Sequence, residues 1–171
     1  AVADWFSFAG VIVFQDPTAG PSAASPLPAL GATIPLDDAE ALVAFDPVVP
    51  AELGPPEGVQ VSADRRLLTM GWTDDDGRAI RLDQFDGRLD VGFAKTAPGV
   101  EFTSVSGDFA LWFDEPHEVV VLNPDGSERT ETARLAGSTL IWEDGLRTMR
   151  LEGELTLERA LVIARSVEVQ P

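Results

Sequence analysis

Cysteine is absent from the 171 residues, which removes disulfides, thiolate metal ligands and a cysteine nucleophile together. Histidine occurs once, at His117, so a usual structural zinc site lacks its donor set. A Ser-His-Asp arrangement would have to use that residue, yet no serine stands in a Gly-x-Ser-x-Gly elbow. Pro116 and Glu118 flank it at the start of a strand pattern, where turn packing or an exposed ring is the ordinary role. The glycines are dispersed at turns, and no Gly-rich phosphate loop occurs. No apolar run approaches the roughly 18 to 20 residues that cross a bilayer. Positive charge is scarce too: no Lys or Arg precedes Arg65.

Acid is what the chain has in excess. Asp and Glu number 29 against 12 Lys and Arg, a formal net charge of −17. A field of that sign repels phosphate backbones and anionic lipid, so nucleic acid is excluded as an expected partner. It would attract divalent cations or a basic partner, although solubility or tolerance of salt accounts for it more simply. Asp74-Asp75-Asp76-Gly77 invites a calcium reading, but the position that requires Glu in an EF-hand loop falls on Phe85 or Gly87. A solvated hairpin tip is expected there, and a solvated pair at Asp114-Glu115. With so many acids, some pair meets glycosidase spacing by chance. Trp72, Trp112 and Trp142 sit inside apolar strand patterns and are expected in the core, whereas Trp5 belongs to a segment whose packing the pattern does not define. No catalytic, cofactor-binding or metal-ligating residue emerges from this reading, and no ligand or partner site.

Hydrophobic residues make up 44% of the chain, ordinary for a single folded domain of this length. Val2, Trp5, Phe6 and Ala9 fall at helical spacing, and 11–14 reads as a strand. Residues 16–31 are rich in Pro, Ala, Ser and Gly and read as a loop. Asp37 with Glu40 forms a capping-box pattern ahead of an apolar face of Leu36, Leu42, Val43 and Phe45, with Pro47 as the stop. Residues 50–56 form a rigid corner or a short helical turn. Strands follow at 59–62, 67–72 and 80–83, the last two joined by a hairpin with Asp76-Gly77 at its tip. A short helical turn is expected within 88–98. Strands resume at 100–105, 109–113, 119–122, 140–143 and 149–155, with turns at Asn123-Pro124-Asp125-Gly126 and Asp144-Gly145. A final helix over 156–168 carries the stripe Leu157, Ala160, Leu161, Ala164 and Val167, with Thr156 as cap. The links between strands are mostly too short for crossover helices. The expected fold is therefore α+β: a mainly antiparallel, curved sheet of about eight strands with two or three helices packed on it.

Several of these segments carry a resemblance. They are Ala110-Leu111-Trp112-Phe113, Glu115-Pro116-His117-Glu118-Val119, Asn123-Pro124-Asp125-Gly126, Glu131-Thr132-Ala133-Arg134-Leu135-Ala136-Gly137, Thr139-Leu140-Ile141-Trp142-Glu143 and Arg150-Leu151-Glu152-Gly153-Glu154-Leu155-Thr156-Leu157-Glu158, with the helix behind them. Together they resemble the extracytoplasmic domain of membrane-anchored anti-sigma factors and related envelope regulators, especially those of actinobacteria. Arg in eleven of the twelve basic positions, with Lys95 the exception, suits a GC-rich bacterial genome. Pro35-Leu36-Asp37-Asp38-Ala39 and Val49-Pro50-Ala51-Glu52-Leu53-Gly54-Pro55-Pro56 resemble the same family's approach to the domain.

The resemblance implies two parts: a juxtamembrane-like segment and Pro/Ala-rich loop over 1–36, then a single sensor-like domain over 37–171. It implies a non-enzymatic, extracytoplasmic regulatory domain that relays an envelope signal through its N-terminal segment to a membrane span outside this chain. The partners implied are an extracytoplasmic ligand or protein and a regulatory protease, with a sigma factor met only through a missing cytoplasmic segment. No cofactor and no catalytic residue are carried over. Two other classes stay open: a secreted binding or carrier protein for an apolar ligand, and an acidic hydrolase. A span upstream of Ala1 separates the first from a secreted protein, which would have only a signal peptide there.

Overall fold

The structure is a computed structural model that describes residues 11–14, 30–86, 100–114, 118–122, 128–129, 137–145 and 147–169. Twelve strands and two helices are assigned among them. In chain order they are β1 (Val11–Phe14), α1 (Leu36–Glu40), β2 (Val48–Pro50), β3 (Gly58–Val61), β4 (Leu67–Thr73), β5 (Ala79–Asp86), β6 (Glu101–Val105) and β7 (Asp108–Phe113). Then come β8 (Glu118–Leu122), β9 (Glu128–Arg129), β10 (Ser138–Asp144), β11 (Arg147–Gly153), α2 (Leu157–Arg165) and β12 (Val167–Val169).

Seven strands form one sheet in the order β3-β4-β5-β11-β10-β7-β6, while β1-β8-β9 and β12-β2 make two smaller ones. Every pairing is antiparallel, as the short links require. The described residues thus form a mainly antiparallel sheet structure with two helices. The expected eight or so strands become seven in the main sheet, because β1 and β8 pair with each other in a separate sheet; the short strands at 48–50 and 167–169, which the pattern did not mark, form a third.

Alternation along the strands sorts the main sheet into two faces. One face carries Leu68, Met70, Leu82, Leu140, Trp142, Met149 and Leu151, all buried. Ala160, Ile163 and Ala164 of α2 join this core, with Val48 and Val49 of β2. Gln84 is the polar exception on this face. Its amide nitrogen donates to the carbonyl of Val48 at 2.7 Å, and its amide oxygen accepts from Val48 N at 2.9 Å. The side chain thereby replaces a strand partner and ties β2 to the sheet.

Local expectations hold where turn chemistry is strong. Gly77 and Gly145 both adopt positive φ at hairpin turns, at 79° and 64°, the conformation that glycine adopts without steric cost. Asp74 N donates to Arg78 O at 2.9 Å, closing the β4–β5 hairpin. Residues 50–54 form a tight turn in which Leu53 N and Gly54 N both donate to Pro50 O. Thr156 caps α2 by accepting from Arg159 N at 3.2 Å.

Two helix boundaries differ from expectation. α1 begins at Leu36 behind Pro35, whose φ of −58° leads into the helix, and no side chain caps it. Asp37 therefore sits inside the first turn, beside the helix's positive end, rather than at the cap. The helix stops at Glu40, well before Pro47, because the chain turns there and brings Val43 and Phe45 onto the core. α2 ends at Arg165, where Ser166 Oγ donates to Ile163 O at 2.7 Å. Val167 then pairs with Pro50 as a strand residue, and Ile163 takes the buried place on the stripe. Two valines alternating about Glu168, beside the edge of β2, favour extension over another helical turn. The helical spacing at 2–9, the turns at 88–98 and 123–126 and the resemblance-bearing residues 131–136 lie outside the described residues.

Candidate functional site

The second face of the main sheet is also buried, and its centre is charged. Arg81 and Asp83 of β5 and Arg150 and Glu152 of β11 are all buried, Asp83 at 1% and Glu152 at 0% exposure. Register places Asp83 directly opposite Arg150, and Arg81 opposite Glu152. Arg150 donates to Asp83 Oδ2 through both Nε, at 3.0 Å, and Nη2, and its Nε lies 2.8 Å from Glu152 Oε1. Thr69 of β4, opposite Asp83 on the other side, donates its hydroxyl to Asp83 Oδ1. Two cations and two anions thus alternate across neighbouring strands in a charge-balanced ladder. Desolvating ions at such depth is tolerable only when they pair and their remaining oxygens find donors.

An apolar cluster continues the same face toward β7. Leu111, Phe113 and Ile141 are buried there, with Val100 and Phe109 packed against them. At the other end Leu30 lies over Gly58 and Gly71. A Cβ on Gly71 would sit 2.5 Å from Leu30 Cδ1, so the small residue makes room for that crossing.

Two clefts open among the described residues. One, of about 470 Å³, borders β3 and is lined by Ile34, Leu42, Val61, Leu67 and Thr69 among others. The larger, of about 700 Å³, lies between the β4–β5 hairpin tip, the 52–57 corner and the start of α2. Its acidic lining comprises Glu52, Glu57, Asp74, Asp75, Asp76 and Glu154. Most of these groups already have partners. Arg78 meets Asp74 at 2.9 Å, Asp76 at 2.6 Å and Glu154 at 4.0 Å. Glu52 pairs with Arg159, and Glu57 accepts from the backbone and hydroxyl of Thr73 at 3.1 and 2.8 Å. The backbone N–H of Arg78, 2.8 Å from Asp74 Oδ1, is the largest cause that holds the Asp74 carboxyl below its ordinary 3.8; the Arg78 side chain adds to it. The same pair raises Arg78 above its usual range.

Sequence candidates fall out as follows. Asp74, Asp75 and Asp76 stand at the hairpin tip, two of them held by Arg78, and among the described residues no cluster of acids and histidines is arranged to hold a metal. Trp72, Trp112 and Trp142 are buried in the main core. Asp114 is exposed, while His117, Glu115 and Trp5 lie outside the described residues.

The charge ladder is what the sequence reading missed. Arg81 and Asp83 alternate with Ile80 and Leu82, which reads as apolar-in, polar-out. The available signal was complementarity: Arg81-x-Asp83 and Arg150-x-Glu152 pair opposite charges throughout when set antiparallel.

No family model matches the chain, and no match is found among curated proteins or solved structures.

Proposed function

We propose that this chain is a non-enzymatic extracytoplasmic sensor or regulatory domain of the kind carried by membrane-anchored anti-sigma factors and related envelope regulators. The observation that carries the reading is the pairing of β1 with β8, in which Val11 to Phe14 align with Val121 to Glu118. The N-terminal strand is thereby bonded to a distant part of the chain in a sheet separate from the main one. A protein contact, a ligand or a protease that parts β1 from β8 changes what the N-terminal segment passes on, while the main sheet keeps its own core. The close filling of that core by Trp142, Leu68, Met70 and Leu151 favours this reading over an apolar-ligand carrier. The engagement of the cleft carboxylates with arginines and Thr73 favours it over a hydrolase, whose acids must be open to substrate.

The coding sequence upstream of Ala1 tests the proposal first. A membrane span preceded by a sigma-binding segment is expected there. A secretion signal with no span overturns the reading and makes a secreted binding protein the better one.

A further inference from the structure

The two edges of the main sheet differ. At β3 the chain before α1 provides cover: Ile34 bridges to Val59 and the Gln60 amide donates to Ala32 O at 3.1 Å. At the other end, among the described residues, β6 pairs only with β7, through five consecutive positions without a bulge. Segment 101–105 holds no Pro and no Lys, the residues that commonly protect an open edge.

The β6–β7 turn settles which backbone groups face outward. Ser106 and Gly107, at φ 53° and 97°, form a two-residue turn, so Val105 and Asp108 are a hydrogen-bonded pair. Alternation then places Ser104 and Phe102 in non-hydrogen-bonded pairs, with their N–H and C=O directed away from β7. Among the described residues the Ser104 carbonyl is met by Arg165 Nη2, at 3.4 Å, a long and weak contact.

Side chains at this edge supply an apolar platform. Phe102 is 51% exposed, and its ring meets that of Phe109 at 5.8 Å between centroids. Phe109 in turn packs on Leu111, Phe113 and Ile141. Exposed Glu101 and Asp108 stand at the same edge on the opposite face of the sheet. With a formal charge of −17 on each chain, a second copy is repelled, and a basic partner is attracted.

We propose that the β6 edge docks an extended segment of a partner protein in which apolar residues alternate with Lys or Arg, added to the sheet as a further strand. Backbone bonds to Phe102 and Ser104 supply affinity, the Phe102–Phe109 platform takes the apolar side chains, and Glu101 and Asp108 on the opposite face select the basic ones that alternate onto it. This names a partner for the sensor reading, but it is tested by binding alone and stands if that reading fails.

The experiment titrates the whole chain against a fluorescent peptide of alternating Val and Lys, and against its Val and Glu counterpart, by anisotropy. The Lys peptide is expected to bind and the Glu peptide not. Ser104→Pro removes an outward N–H that the β7 ladder does not use, and weakens binding about tenfold. Phe102→Ser is expected to weaken it as well, and Arg165→Ala to tighten it by clearing the Ser104 carbonyl. Thermal melts that match the parent show that the variants fold. Equal binding by parent and Ser104→Pro would mean charge attraction alone, and would overturn the proposal. So would a chain that dimerises in sedimentation and becomes monomeric on Ser104→Pro, since the occupant is then a second copy.

Discussion

Two residues show how burial turns ordinary polar side chains into determinants of stability. Gln84 satisfies both backbone groups of Val48 inside the core. Gln84→Leu leaves a buried donor and acceptor unmet, at about 1–3 kcal/mol for each group; chemical denaturation should show a lowered midpoint. Asp83 is held by Arg150 and Thr69 at 1% exposure. Asp83→Ala leaves the buried ladder with two cations against one anion, a loss of about 3–5 kcal/mol, whereas apolar replacement of the whole ladder is expected to cost far less. Asp74 behaves differently because it sits at a hairpin tip. Its folded pKa lies below 3.8, the ordinary value, so the folded state favours its ionised form. That contribution is complete well above 3.8 and is lost as pH falls through the depressed folded value. An NMR titration should place the Asp74 midpoint below 3.8, and Asp74→Asn should flatten the acid limb of the stability curve.

At the scale of elements, caps and turns decide where each piece begins and ends. α2 depends on Thr156, whose hydroxyl accepts from Arg159 N; Thr156→Ala should cost about 1 kcal/mol in equilibrium unfolding. The β6–β7 turn carries Ser106 at φ 53°, a left-handed conformation that asparagine tolerates better than serine. Ser106→Asn should therefore raise the melting temperature slightly without altering the register. Gly137 has the opposite constraint, since a Cβ there would stand 2.8 Å from the Gly153 carbonyl oxygen. That neighbour is backbone in the adjacent strand and cannot swing aside as a side chain would.

For the whole molecule, the separation of β1 from the main sheet sets a clear expectation. Deleting residues 1–14 removes one strand of the β1-β8-β9 sheet and leaves the β3 to β6 sheet with its core. Circular dichroism should keep the strand signal and a cooperative melt, and on the proposed relay reading the same deletion should abolish regulated output in a promoter reporter. If the truncated chain unfolds, the segment belongs to the core and not to a relay. The net charge of −17 adds a second expectation at this scale. Self-repulsion opposes the compact state and is screened by salt, so the melting temperature should rise with ionic strength.

Periodicity and turn chemistry were legible in the chain by themselves. Alternation marked β3 and β5, continuous apolar runs marked β7 and β8, and Thr156 marked the start of α2, because these signals act over a few neighbouring residues. The buried places of Trp72, Trp112 and Trp142 followed from the same patterns. What lay beyond that range belonged to tertiary structure. Whether the polar side of β5 met water or β11 depended on strand order, and only pairing brought Arg81-x-Asp83 against Arg150-x-Glu152. The end of α2 was likewise decided at a distance: Val167 is a sound helix continuation locally, until the edge of β2 offers it a strand partner. The open edge at β6 has the same origin, since an edge is a property of the assembled sheet and of no residue in it.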